Sequence, residues 1–234
     1  MASTLSVPTR AGDRLVAGHH PLGTSTGHLT ELRGHWDLLV TRALGVSSIV
    51  VELAALSEPE FLTLCDWLSE SGRELPFRYL SVHAPSKHRQ LPEAELVERI
   101  AALPRTVDAV VVHPETIERV ERYEALGWRL VLENMDARKP DARTAAELEP
   151  YFDALPEAGF VLDVAHVASI DPTMAEADRL LDAFGERLRH VHVSSVDPDC
   201  HHVPLTAQDE ERFAPVLGRC RDVPWVLEAP LPPR

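Results

Sequence analysis

Six apolar runs along this 234-residue chain end, one after another, in a side chain able to bind a cation. The endings are His83, His113, Glu133, Asp163, His192 and Glu228. Brought to one place, Glu133, Asp163 and Glu228 put three carboxylates into a small volume, where they cannot all stay ionised without a positive partner. Lysine is a poor source of that charge, because the chain has only Lys87 and Lys139 against 12 histidines. A divalent cation is the simplest partner, and His192 adds a neutral nitrogen to a mixed nitrogen and oxygen ligand set. Such ligands suit zinc, manganese, iron or cobalt alike. Asp163-Val-Ala-His166 brings a further ligand one turn on, and Asp199-Cys-His-His202 another from a loop.

The elements that must position these side chains are short and regularly spaced. Runs rich in β-branched residues lie at Arg14–Ala17, Ser48–Leu53, Tyr79–His83, Ala109–His113, Arg129–Glu133, Phe160–Asp163, Arg189–Val193 and Trp225–Glu228. Several are continuously apolar, as parallel strands covered on both faces must be. Segments of helical periodicity alternate with them: His28–Leu44, Glu58–Ser71, Pro92–Ala102, Glu115–Leu126, Ala142–Leu155, Thr173–Phe184 and Ala207–Leu217. Proline marks helix starts at Ser57-Glu-Pro-Glu and Asp171-Pro-Thr, and Gly45, Gly127 and Gly185 stand where helices should stop. Eight strands alternating with seven helices predict one α/β domain over 1–234, a (β/α)8 TIM barrel lacking its last helix, with an irregular segment over 1–13. A doubly wound open sheet is the competing architecture. In a barrel, the carboxyl ends of the strands meet at one mouth, which is where the six endings need to be. The last strand then needs other cover, from the N-terminal segment or from a second copy of the chain.

The net charge of −14 opposes broad binding to a phosphate backbone, though it leaves room for a local basic mouth. Three widely spaced cysteines give no disulfide framework and fit a reducing compartment. The polar start lacks the apolar core of a signal peptide, and no apolar run is long enough to cross a bilayer. A cytoplasmic location, a small-molecule substrate, no membrane and no nucleic-acid partner are the expectations.

The ordered series Val82-His-Ala-Pro85, Val112-His-Pro114, Leu132-Glu-Asn-Met135, Leu162-Asp-Val-Ala-His166, Val191-His-Val193, His202-Val-Pro-Leu205 and Leu227-Glu228 resembles the xylose isomerase-like TIM barrel superfamily. That group includes sugar isomerases and epimerases and endonuclease IV. In the isomerase branch the resemblance implies one divalent metal on Glu133, Asp163, His192 and Glu228, with the two glutamates exchanging the substrate proton. In the endonuclease IV branch it implies a three-zinc cluster that also uses His83, His113, His166 and His202. One to three metals per chain are therefore expected. A ninth ligand of that cluster, an aspartate, is matched here by Cys200, with Asp199 one position away, and Ser195 stands where an acidic residue is common.

Around this core, His20, Asn134 and Lys87 are candidates for contact with substrate, Asn134 alternatively for orienting Glu133 from behind. His19 and His28 flank a Gly-containing stretch, Gly23–Gly27, that is expected to be a flexible loop; surface or packing roles are expected for both, as for His35, His88 and His190. The four tryptophans are expected in the core. The first expectation for function is a metal-dependent isomerase or epimerase of a sugar or related polyol, with Glu133 and Glu228 as the catalytic acid and base. The alternative is a multi-zinc phosphodiesterase acting on abasic DNA. Lyase or oxidase chemistry on the same barrel, or binding without turnover, completes the set.

Overall fold

The computed structural model describes residues 20–70 and 74–231. Eight parallel strands close into a barrel: β1 (Leu22–Ser25), β2 (Val50–Ala54), β3 (Tyr79–His83), β4 (Ala109–Val112), β5 (Leu130–Glu133), β6 (Gly159–Asp163), β7 (Leu188–Val193) and, after a two-stranded extension formed by β8 (Ser195–Val196) and β9 (His202–Val203), β10 (Trp225–Leu227). Neighbours follow chain order, and β10 pairs in parallel with both β7 and β1 to complete the ring. The competing open sheet is thereby excluded. Outside lie α1 (Trp36–Leu44), α2 (Glu58–Ser69), α3 (Glu93–Ala101), α4 (Ala145–Ala154), α5 (Val164–Ile170), α6 (Ala175–Phe184) and α7 (Ala207–Arg219). Their starts carry local signals. Ser57 and Glu60 form a reciprocal capping box at α2, while Thr144 and Thr206 accept from the third residues of α4 and α7.

Strands β4, β5 and β6 are buried throughout, because one face meets the helices and the other fills the barrel. Ala109, Val111, Val131 and Val161 pack together inside, with Tyr79 against them. Side chains alternate along a strand, so Glu133 shares the inner face with Val131, Asp163 with Val161, and His83 with Tyr79. The same two-residue period puts His190 with His192 on β7. The apolar plug thus fixes which end residues face the mouth.

Three expectations are corrected. Strand one does not need Arg14–Ala17, which, like His19 and the segment over 1–13, lies outside the described residues: the strand that closes the barrel is Leu22–Ser25, inside the stretch expected to be a flexible loop. Gly23 serves close packing there, since a Cβ would lie 2.5 Å from Val50. The expected helices His28–Leu44 and Glu115–Leu126 are only partly α-helical. The first begins as short 3-10 turns before α1, and the second is 3-10 over Pro114–Thr116 and Val120–Arg129, broken at Gly127 with φ 54°. Trp128 is exposed, beneath the Arg189 guanidinium, rather than in the core. Beyond β10, the described residues to Leu231 form no helix, and His20 stacks on Trp225 with ring centroids 3.8 Å apart. No helix among the described residues is long and apolar enough to cross a membrane.

Candidate metal centre

Every ending predicted from the sequence arrives at the carboxyl-terminal mouth of the barrel. Glu133, Asp163, His192 and Glu228 each offer a ligand atom, all within 4.8 Å of one another. The same holds for His83, His113 and Glu133, and for Asp163, His166 and His202. Glu133 and Asp163 each belong to two sets, so the three run together as one cluster.

Glu133 is the hinge of this arrangement. Its Oε1 lies 2.9 Å from His192 Nδ1, while Oε2 lies 3.3 Å from His83 Nε2 and 3.2 Å from His113 Nε2. Two histidines are oriented by backbone carbonyls, which can only accept. His83 Nδ1–H donates to the Ala84 carbonyl at 2.9 Å, and His166 Nδ1–H donates to the Asn134 carbonyl at 2.8 Å. Each ring thereby turns its Nε2 towards the mouth, where the neutral imidazole could offer it to a cation. His113 Nδ1 stands 3.4 Å from Glu115, which is itself paired with Lys139.

The electrostatics show what the cluster wants. Burial pushes the Glu228 carboxyl up, and the nearby Asp163 and Glu133 carboxylates add to this although His192 opposes them, so it stands well above the usual range. Burial would also raise Glu133, but the charge of His192 and hydrogen bonds from His113, His192 and His83 outweigh it, holding Glu133 well below that range. Burial disfavours charge on His192, yet Glu228, Glu52 and Glu133 together draw a proton onto it. His202, where burial dominates, is pushed down to about 4. Asp163 Oδ2 is buried and makes no hydrogen bond. An orphaned carboxylate oxygen, crowded acids and preset imidazole lone pairs together fit divalent cations.

Two of the three expected substrate contacts, His20 and Asn134, are placed elsewhere. His20 precedes β1 and donates to, or accepts a proton for, no group at the mouth: its Nε2–H meets the Val223 carbonyl at 2.7 Å, at the opposite end of the barrel. Asn134 is fully buried with both ends of its amide occupied, Nδ2 donating to the Asp163 carbonyl at 3.0 Å and Oδ1 accepting from Asp163 N at 2.8 Å. It clamps the end of β5 to the end of β6 and holds ligands rather than substrate. Lys87 is exposed in the loop after β3, where its backbone bridges Ser57. Cys200 sits in a turn at φ 56° and Asp199 in an exposed group with Asp197 and His201, so neither enters the sets at the mouth. Ser195 donates to Asp209 at 2.6 Å and helps start α7.

Sequence reasoning missed three buried acids. Asp136 is held by Arg138, which outweighs burial and takes its carboxyl down to about 2; it stands 3.9 Å from His166 Nε2. Glu115 backs His113. Glu52 lies inside the barrel against His192, and His190, expected to be structural or exposed, is fully buried beside it. Glu52 ends the run preceding His83 and follows the same spacing, a signal that was available.

No protein-family profile matches the chain, and no curated protein does. Solved structures do. Endonuclease IV from Thermus thermophilus is similar at 24% identity and TM-score 0.55, over 83% of this chain and 87% of that one. D-psicose 3-epimerase, determined in the presence of D-fructose, is similar at 14% identity and TM-score 0.56, over 90% and 85%. The 3-keto-D-glucoside 4-epimerase of E. coli is similar at 15% identity and TM-score 0.54, over 92% and 94%. With its closed eight-stranded parallel ring, the chain has the TIM-barrel fold that it shares with these structures.

Proposed function

We propose that this protein is a multinuclear, divalent-metal-dependent hydrolase that cleaves a phosphate ester. The observation that carries the reading is the division of Glu133: one oxygen serves His192 and the Asp163–Glu228 side, the other serves His83 and His113. A carboxylate shared in this way suits a bridge between two cations, and the third set, Asp163, His166 and His202, extends the cluster. Bound cations would supply Lewis acidity and a water of lowered pKa. The chain's own part is to hold the ligands in preset tautomers and to receive the anion. Lys87 and Arg89 stand in the loop after β3, the strand that ends at His83, whereas Lys139 and Arg138 in the loop after β5 are already paired with Glu115 and Asp136. That local positive charge runs against a net charge of −14, which disfavours a long polyanion and favours a small ester. In hydrolysis, a water oxygen bonds to phosphorus, the ester P–O bond breaks, and the water proton leaves with the alcohol.

A metal-dependent sugar isomerase or epimerase is the second reading. The raised Glu228 favours it, since such a carboxyl can hold a proton at neutral pH. Glu133 counts against it, because a carboxylate engaged at both oxygens and held well below the usual range is a weak proton acceptor. Metal content and turnover separate the two. Two or three metals per chain, with phosphate-ester cleavage of small esters or of an abasic-site duplex, support the proposal. A single metal per chain, with solvent deuterium entering a ketose and no ester cleaved, overturns it.

A further inference from the structure

Beneath the mouth, three polar groups from two strands converge on one carboxylate that takes no part in the sets above it. Glu52 on β2 is fully buried. Its Oε2 accepts from Ser81 Oγ–H at 3.0 Å, lies 3.1 Å from His192 Nε2, and has His190 Nε2 at 3.4 Å. His190 Nδ1 in turn lies 2.8 Å from the Tyr79 hydroxyl. Proton bookkeeping fixes the direction of this chain. An ionised carboxylate only accepts, so both imidazoles present Nε2–H to Glu52, and His190 Nδ1 then accepts from Tyr79 O–H. His192 Nδ1 faces the mouth, 2.9 Å from Glu133 Oε1 and 3.5 Å from Glu228 Oε1, where a bound cation would take the place of its proton.

We infer that Glu52 is a positioning residue: it holds the His192 ring in the orientation and tautomer that offer Nδ1 to a cation at the mouth. The inference rests on the metal-centre reading above and assigns a role to a residue outside that centre. Carboxylates behind metal-bound histidines act in this way generally, and their loss weakens metal affinity or activity by about 10–100-fold. Ser81, His190 and Tyr79 make the acceptor specific, since they fill the space in which the Glu52 carboxylate could otherwise rotate.

The test is zinc affinity, measured by competition with a chromogenic chelator, in wild type, Glu52→Gln and His192→Ala. Glutamine keeps the volume and one acceptor oxygen for the converging N–H and O–H groups, but removes the negative charge that faces His192 Nε2–H. About 10–100-fold weaker zinc binding by Glu52→Gln is expected. Nitrogen-15 NMR of zinc-loaded wild type supplies a readout that needs no folded variant: His192 should bind through Nδ1 and carry an exchange-protected proton on Nε2. Zinc bound through Nε2, or unchanged affinity in a folded Glu52→Gln variant, overturns the role of Glu52 alone. If His192→Ala binds zinc as wild type does, the metal-centre reading itself falls.

Discussion

The Nε2 atoms of His83 and His113 stand 3.1 Å apart, with Oε2 of Glu133 within 3.3 Å of both. His83 donates from Nδ1 to a backbone carbonyl, so Nε2 is the nitrogen it turns to His113 and Glu133. A proton on His113, or a cation among the three groups, is what relieves their repulsion. Protons and metal therefore compete for one position.

That competition gives a pH dependence. Burial alone would lower the His113 pKa, but hydrogen bonds to Glu115 and Glu133 raise it from the usual 6.5 to about 9. A raised pKa in the folded state gives stability that is complete below 6.5 and is lost as pH rises through about 9. The melting temperature of chelator-treated protein should fall across that window. Zinc-loaded protein should lack this component, because the proton has been displaced. Thermal unfolding followed by circular dichroism between these limits checks it, and parallel profiles with and without zinc would contradict it.

The sets can be dissected one at a time. His83→Ala should lower bound metal by about one equivalent and leave the Asp163–His166–His202 set filled, while His202→Ala should do the reverse. Elemental analysis after dialysis reads both. Loss of all metal in either variant would mean that the cluster binds only as a unit.

Glu133→Gln strikes the residue shared by two sets. Metal affinity at both should drop more than about 10-fold, since even an outer partner of a ligand is worth about 10–100-fold, and activity should be abolished. The far-ultraviolet circular dichroism should stay unchanged, since the amide keeps the volume beside Val131. Normal turnover by this variant would remove Glu133 from the chemistry.

Gly23→Ala tests the corrected first strand. Its Cβ would meet Val50 Cβ, Cγ1 and carbonyl oxygen, each at 2.5 Å, so β1 and β2 must separate. A loss of about 1–3 kcal/mol is expected, in the range of overpacked cores, measured by urea unfolding. A flexible loop at this position would absorb the methyl without cost.

Much of the architecture was legible because it depends on short-range regularities. Continuous β-branched runs such as Ala109–Val112 mark strands buried on both faces, and their endings name the rim. Strand one escaped for the opposite reason: Leu22-Gly-Thr-Ser has little β-branched character and is held by its neighbours β10 and β2 rather than by its own propensity. His20 was misplaced because its neighbours in sequence are not its neighbours in space.

By itself, the sequence determined which side chains end the strands and the alternating α/β order that carries them, because residue type and two-residue alternation are local properties of a strand. Only the tertiary structure decided that Glu133 divides its oxygens between two groups, that Asn134 spends its amide on Asp163, and that Glu52 stands behind His192. Those relationships join residues from separate strands, up to 140 positions apart for Glu52 and His192, and the barrel's curvature alone sets the distance between them.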